Sequence, residues 1–505
     1  MKKLTVLMLS VFSMSNVIAQ DISDALKYSQ DNIQGSARFR ALSGAFGALG
    51  GDMSAVGLNP AGSAIFNRSH ASFSLSTLGI SNDVSYFNGN TSSTESKIDM
   101  HQAGGVFVFV NTDENSSWKK FVLSLAYDKT ANHEDQWYAN GQNTNSIDSY
   151  FLAYSQGLRL DEISRFDNET ISQAYGEIGS IYGYANQQAF LGYESFILEP
   201  VNNSDDNTNY VSNIAQGTFN QKYDYIANGY NGKISFNAAT QYEDKLYLGL
   251  NLNAHFINFE KYTYLQERNS NSGSLVSNVN FENSLFTTGN GFSFQIGAIY
   301  KLTNELRAGF TYNSPIWYRI NEETTQSLTT TVNDIDGSFN AIVNPNVINI
   351  FPEYKLQSPG KITGSLAYVF KDKGLLSFDY SRRNYRNTEF RPTTDTFFAL
   401  QNETIENIFK IANTYRLGGE YKYKKMSFRA GYRFEESPYQ DDSFYGDLTG
   451  YSLGLGYDFG MTRLDLTFDQ ANRKTNNPLY SIGLTDTANV DTTNSNVTLS
   501  LAFNL

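Results

Sequence analysis

From about residue 69 to its last residue the chain alternates apolar and polar side chains, the period of a strand with one apolar face. In Tyr451-Ser452-Leu453-Gly454-Leu455-Gly456-Tyr457-Asp458-Phe459 the odd positions are apolar and the even ones small or polar. Leu246, Leu248, Leu250, Leu252, Ala254 and Phe256 likewise alternate with Tyr247, Gly249, Asn251, Asn253 and His255. Val497, Leu499, Leu501, Phe503 and Leu505 repeat the pattern to the C-terminus. Alternation and turn residues together place about fourteen strands, each near the length a tilted strand needs to cross a bilayer. They fall near residues 69–79, 103–110, 119–130, 229–242, 245–260, 289–302, 304–320, 359–370, 374–388, 412–424, 426–437, 450–459, 462–473 and 496–505.

The connections alternate between short and long. Glu243-Asp244, Thr303, Asp372-Lys373, Lys425 and Gly460-Met461 mark short turns, with 111–118 slightly longer. The long ones are 80–102, 131–228, 268–288, 321–358, 391–411, 438–449 and 474–495. Outer-membrane barrels have short periplasmic turns, long extracellular loops and an even strand number. The expected fold is therefore all-β, a transmembrane antiparallel β-barrel of about 14 strands with both termini periplasmic. Trp317, Tyr318, Tyr421 and Tyr423 at strand ends suit the interfacial aromatic girdles.

Ahead of the barrel, Lys2-Lys3, the apolar run Leu4 to Val11 and Val17-Ile18-Ala19 read as a signal peptide over 1–19. Residues 20–67 are expected to form an N-terminal plug, or hatch, of helical turns in the lumen of a barrel spanning 68–505. Its segment 35–66 is rich in Gly and Ala and closes with Asn59-Pro60-Ala61-Gly62, where Asn suits an N-cap and Pro the first helical position. The insertion 131–228 carries helix-like pieces at Ser146–Leu160 and Ile171–Phe196, then polar sequence at 202–213. A loop of this length is expected to cap the extracellular mouth; a plain surface loop is the alternative.

Composition narrows the function. The 34 Tyr and 36 Phe accompany a mean hydropathy of only −0.41, as expected where every second strand residue meets lipid. A net charge of −13 argues against a nucleic-acid partner, and the absence of Cys excludes disulfides and thiolate chemistry. The four His (His70, His101, His133, His255) have no metal-ligand spacing, and no nucleophile elbow or phosphate loop occurs. We expect no enzyme, no metal and no cofactor. Haem held by His101 and His133 near extracellular loops is the competing possibility.

Several motifs resemble the FadL/TodX family of outer-membrane transporters for hydrophobic compounds. They are Asn59-Pro60-Ala61-Gly62, Gly309-Phe310-Thr311-Tyr312-Asn313-Ser314-Pro315, Leu356-Gln357-Ser358-Pro359-Gly360-Lys361, Leu376-Ser377-Phe378-Asp379-Tyr380, Tyr415-Arg416-Leu417-Gly418-Gly419-Glu420-Tyr421, and Phe428-Arg429-Ala430-Gly431-Tyr432-Arg433-Phe434 running into Glu436-Ser437-Pro438. Their order covers residues 35 to 505. The resemblance implies a multi-pass barrel in the outer membrane of a Gram-negative bacterium, closed by a hatch. It also implies energy-independent diffusion of long-chain fatty acid-like cargo, caught among the loops and released sideways through the wall. The partners expected are hydrophobic small molecules and outer-membrane lipid with lipopolysaccharide, and the channel is expected to be a monomer. The insertion shows no family match, so cargo identity does not transfer; some distant relatives are described as haemin receptors, which keeps a haem-binding or non-transporting surface barrel as the rival.

Strand phase places Arg307, Asp379, Arg383, Arg416, Glu420, Arg429, Arg433, Asp458, Arg463 and Asp465 on the lumen face, where they are expected to pair with one another or with Arg38, Arg40 and Asp52 of the plug. An unpaired Arg could instead meet a cargo head group. Trp137, Tyr138, Tyr150, Phe151, Tyr154, Phe190, Tyr193 and Phe196 of the insertion are candidates for hydrophobic capture, the alternative being packing of the loop's own core.

Overall fold

A computed structural model describes residues 22–505; the expected signal peptide lies outside them. The described chain begins with helices α1 (Ile22–Ser29), α2 (Ala37–Ala41) and α3 (Met53–Val56) and a 3-10 turn, Pro60–Ile65. Each of the last three has a side-chain cap, because free N–H groups at a helix start need an acceptor. Ser36 Oγ accepts from Phe39 N at 3.1 Å, Asp52 Oδ1 from Ser54 N at 3.0 Å, and Asn59 Oδ1 from Ala61 N at 3.1 Å.

The remainder closes as a 14-strand antiparallel barrel. Its strands are β1 (His70–Tyr86), β2 (Gly89–Val110), β3 (Trp118–Asn132, continued as Asp135–Asn143), β4 (Phe219–Tyr242), β5 (Leu246–Arg268), β6 (Val276–Lys301) and β7 (Leu306–Asn313, continued as Trp317–Asp334). They continue as β8 (Tyr354–Gln357 and Lys361–Val369), β9 (Gly374–Asn384), β10 (Ile411–Tyr423), β11 (Met426–Glu435), β12 (Leu448–Asp458), β13 (Thr462–Pro478) and β14 (Thr487–Asn504). The seam pairs β1 with β14 from His70↔Asn504 to Ser85↔Asn489. Phe236, Leu250, Ile296, Phe310, Leu366, Phe378, Leu417, Leu453, Leu466 and Leu499 face outward and form the apolar band. No described helix is long and apolar enough to cross a membrane.

Several expected loops prove to be strand. The stretches 80–102, 268–288 and 474–495 are mostly the upper halves of hairpins, and 391–411 holds helix α7 (Thr396–Ile408). The stretch 131–228 is an insertion only in its middle, since β3 continues to Asn143 and β4 starts at Phe219. The reason is physical: above the lipid band the outer face turns polar, as at Asn258 and Glu260 of β5, so the alternation fades while the ladder continues. The wall is uneven in height. Strands β4 to β6 run 24, 23 and 26 residues, whereas β9 to β12 run 11, 13, 10 and 11.

Two features interrupt the ladder. In β7 and β8 the breaks fall at Pro315 and Pro359, which have no N–H to donate. Serines bridge them, with Phe294 N donating to Ser314 Oγ at 3.0 Å and Ile316 N to Ser358 Oγ at 3.1 Å. Between β2 and β3 the ladder runs only from Val110↔Lys120 to Gln102↔Asp128. Beyond it, Gly89 to Met100 pair with β1 alone, His101 falling at a register shift, and the continuation of β3 pairs with β4 alone. That continuation packs against the inner side of β1, where Asn82 Nδ2 donates to Gln136 O at 2.9 Å. The wall is thus unpaired there.

Candidate functional site: a plugged lumen

Residues 37–65 fill the lower lumen, and glycines on the inner wall let them come close. A Cβ on Gly249 of β5 would lie 2.3 Å from Pro60, and one on Gly297 of β6 2.0 Å from Asn59 Oδ1. On Gly309 of β7 it would lie 2.3 Å from Gly47 O; on Gly418 of β10 and Gly431 of β11, 2.7 and 2.6 Å from Leu42; and on Gly454 of β12, 2.5 Å from Ala41. Six strands therefore offer bare backbone to the plug. Asn59 joins cap and seat: its Nδ2 donates to Gly47 O at 2.7 Å and to Ala298 O of the wall at 3.2 Å.

Charges fasten the other side. Glu420 receives Arg38 Nε at 3.0 Å from the plug and Arg429 Nε at 2.6 Å from β11. Arg429 Nη1 also reaches Asp465 at 2.7 Å, and Arg463 binds the second oxygen of Asp465 through Nε at 2.7 Å while its Nη2 lies 4.0 Å from Asp52. Arg40, fully buried, forks onto Asp469 at 2.7 and 2.9 Å and touches His101 Nδ1 at 3.1 Å. Asp379 accepts from Phe46 N and Gly47 N, each at 3.0 Å, and Arg307 Nη1 donates to Leu49 O at 3.3 Å. Such buried pairs are costly to break, because the charge left behind is desolvated.

A second, looser set lies above. Arg383 and Lys361 hold Asp31 at 2.6 and 3.0 Å. Arg416 and Arg433 are 4.0 and 3.8 Å from Glu435, and the buried Arg416 Nε has no hydrogen-bond partner. Between this set and the plug is a cavity of about 110 Å³. Beside it α1 occupies an apolar chamber, packing Ala25, Leu26 and Tyr28 against Phe259, Tyr318, Ile320, Tyr354, Phe390 and Phe409. Asp24 of α1 binds Lys27 at 3.1 Å and Lys261 of β5 at 3.6 Å.

Over the mouth sit α4 (Asp148–Ser155), α5 (Ile171–Ile181) and α6 (Tyr184–Glu194). Trp137, Tyr150, Phe151, Tyr154 and Phe190 are buried in the cap's core, with Tyr86, Phe219 and Phe281 of the tall strands. Tyr193 packs in a smaller cluster, Tyr138 borders an outward groove, and Phe196 is exposed against Phe339. Most of the capture candidates are thus buried between the insertion and the tall strands. Glu267 of β5 fastens the cap, accepting from Ser146 Oγ at 2.5 Å, Ile147 N at 2.9 Å and Gln221 Nε2 at 2.7 Å.

Three sequence expectations need correction or completion. Asp458 keeps the lumen phase, opposite Arg463, but lies exposed at its strand end, where it accepts from Gly460 N at 2.7 Å. His101 and His133 are not loop residues: both are buried, the first on Arg40 and the second 2.9 Å from Asn231 Oδ1 at the break in β3. Asp469, Glu435, Asp31 and Lys361 were not singled out. Asp469 and Glu435 share the parity of Asp465 and Arg433, so strand phase could have found them; Asp31 precedes the Gly/Ala-rich segment and gave no signal.

A closed barrel with an apolar belt and a filled, charge-lined lumen defines an outer-membrane β-barrel whose interior is plugged. The family described as "Outer membrane protein transport protein (OMPP1/FadL/TodX)" matches residues 198–505, and the chain belongs to this family. Among solved structures it is similar to a Pseudomonas aeruginosa FadL homologue, at 11% identity over 94% of this chain and 99% of that one, with a TM-score of 0.55. It is also similar to the P. putida toluene transporter TodX, at 14% identity over 94% and 99%, with a TM-score of 0.51. At these identities the likeness is one of fold. No curated protein matches the chain.

Proposed function

We propose that the protein is a passive uptake channel for hydrophobic compounds, of the long-chain fatty acid kind, that leave sideways between β2 and β3. The carrying observation is the pairing of a filled lower lumen with a wall that lacks its ladder beside the upper lumen. Straight descent would take a greasy molecule past Glu420, Arg429 and Asp465, which are held by one another and by the plug. The unpaired wall begins beside the exposed Ile98 and Met100, at the upper edge of the apolar band, where burying apolar area yields roughly 25 cal/mol per Å². TodX, a toluene transporter by its description, supports a hydrophobic cargo. On this reading the protein is not an enzyme, its surroundings are lipid and lipopolysaccharide, and it works as a monomer because the seam leaves the barrel closed on itself. Purified protein should carry fatty-acid-like lipid, and deleting it should slow growth on hydrophobic carbon sources. A Soret band with no bound lipid would favour the haem-binding rival and overturn the proposal.

A further inference from the structure

We infer that the outer face of the tall wall carries a carbohydrate site, a groove that takes sugar residues of the lipopolysaccharide packed around the barrel. It goes beyond uptake and does not rest on it, because the groove opens away from the lumen. Tyr138 of β3, Asp224 of β4, Tyr264 of β5 and Glu282 of β6 stand opposite one another in register and form one row across four strands. Gln136, Ile226 and Tyr262 make the next row toward the membrane. With Lys222 these residues line a groove of about 440 Å³, within the ~300–1,000 Å³ usual for small-ligand sites. The side chains between them point the other way: Trp137 is buried in the cap's core, its ring stacked on Tyr225 with centroids 5.1 Å apart.

The chemistry of the two rows selects the occupant. Tyr262 and Tyr264 are half-buried at the groove, and the Tyr264 hydroxyl donates to Asn280 Oδ1 at 2.9 Å, which holds the ring across the strands. An aromatic ring of this kind offers an apolar face with a wet tip, the match for the C–H face of a pyranose. Ionised Asp224 and Glu282 only accept hydrogen bonds, so they call for hydroxyl donors. Asp224 gives one oxygen to Lys222 at 3.0 Å and keeps 27% of its side chain exposed, and Glu282 is exposed. A hydrocarbon chain would strip water from these charges at a cost. Two carboxylates against one lysine repel a phosphate. A neutral ring bearing hydroxyls meets both demands. Height agrees with chemistry. Tyr262 lies six residues beyond Phe256, above the point where the outer face of β5 turns polar at Asn258. That is about 20 Å along the strand at ~3.3 Å per residue, or roughly 15 Å of height at a tilt near 40°. The interfacial layer reaches only about 5–7 Å beyond the hydrocarbon, so the groove faces the sugars that the lipid carries.

The test uses the purified full-length protein in detergent and two lipopolysaccharides with the same lipid A phosphates, one with a complete core oligosaccharide and one cut back to its two innermost sugars. Native mass spectrometry should show the complete form retained more strongly, and the dephosphorylated core oligosaccharide alone should bind on titration. Tyr264→Ala should weaken the oligosaccharide roughly 2- to 12-fold, the worth of one aromatic face, whereas Tyr264→Phe keeps the ring and should bind as wild type. Glu282→Gln exchanges a charged acceptor for a neutral one of the same shape and should weaken it about fivefold. Heat-modified gel mobility confirms that each variant is folded, and laurate uptake by cells carrying Tyr264→Ala should equal wild type. Equal retention of the two lipopolysaccharides, or oligosaccharide binding unchanged in both Tyr264→Ala and Glu282→Gln, overturns the site and leaves the uptake reading standing. A loss of laurate uptake in Tyr264→Ala would put the groove on the cargo's route and overturn it as well.

Discussion

Gly309 offers the sharpest test of how the plug is held. A methyl group there would lie 2.3 Å from Gly47 O, 2.8 Å from Gly47 C and 3.1 Å from Ala48 Cα, all backbone atoms. No rotamer change relieves that contact; wall and plug must separate by about 1 Å to reach van der Waals distance. Overpacking of this kind costs about 1–3 kcal/mol. If the plug takes up that cost, the displaced state gains roughly 5- to 150-fold in population. Gly309→Ala should therefore raise the frequency of open events in planar bilayers within that range, with the barrel still heat-modifiable on gels. Gly364→Ala is the matched control: it sits on β8 with nothing within 4 Å of its Cβ and should behave as wild type. A Gly309→Ala protein with wild-type conductance would show that close seating does not hold the plug, and the reasoning from glycines would fail.

Three other outcomes are expected. Glu420→Gln leaves Arg38 and Arg429 without their carboxylate and should cost about 3–5 kcal/mol, read as a lower melting temperature in detergent; an unchanged melting point would mean water compensates them. Removing residues 22–29 uncovers the chamber lined by Phe259, Tyr354 and Phe390, so a neutral fluorescent fatty alcohol should bind more tightly than to wild type, with equal affinity counting against the chamber. Glu267→Ala leaves Ser146 Oγ and Ile147 N without their acceptor and Gln221 Nε2 with Asn145 O alone; proteolysis between residues 157 and 170 should accelerate, and protection equal to wild type would show that the apolar core alone fixes the cap.

The lipid-crossing halves of the strands were legible because lipid and lumen impose opposite demands on neighbouring residues, as Leu250 and Asn251 show. That contrast ends above the membrane: Tyr86 and Val84 pack into the cap while Ser85 and Asn90 meet water, and no lipid requirement marks the strand. The charged lumen was legible in kind, since Arg429, Glu420 and Asp465 fall in one phase. Their partners depended on barrel closure, which brings Asp469 to Arg40 across 429 residues of chain. The aromatic residues of the insertion were visible, but an aromatic that faces cargo and one that faces its own loop have the same composition. Phe151 and Phe190 are both fully buried, in a cluster that the insertion shares with Phe281 of the wall.

The uneven wall also decides which parts of the molecule a large reagent can reach. Strand β5 is 13 residues longer than β11, about 40 Å along the strand at ~3.3 Å per residue, or roughly 30 Å of height at a tilt near 40°. The turn at Gly273, where a side chain would meet nothing, stands on this high side. The turn at Asp441, after β11, stays near the membrane among the sugar chains of the cell surface. An epitope tag inserted at residue 273 should be readable by antibody on intact cells, and the same tag at residue 441 only once the sugars are trimmed.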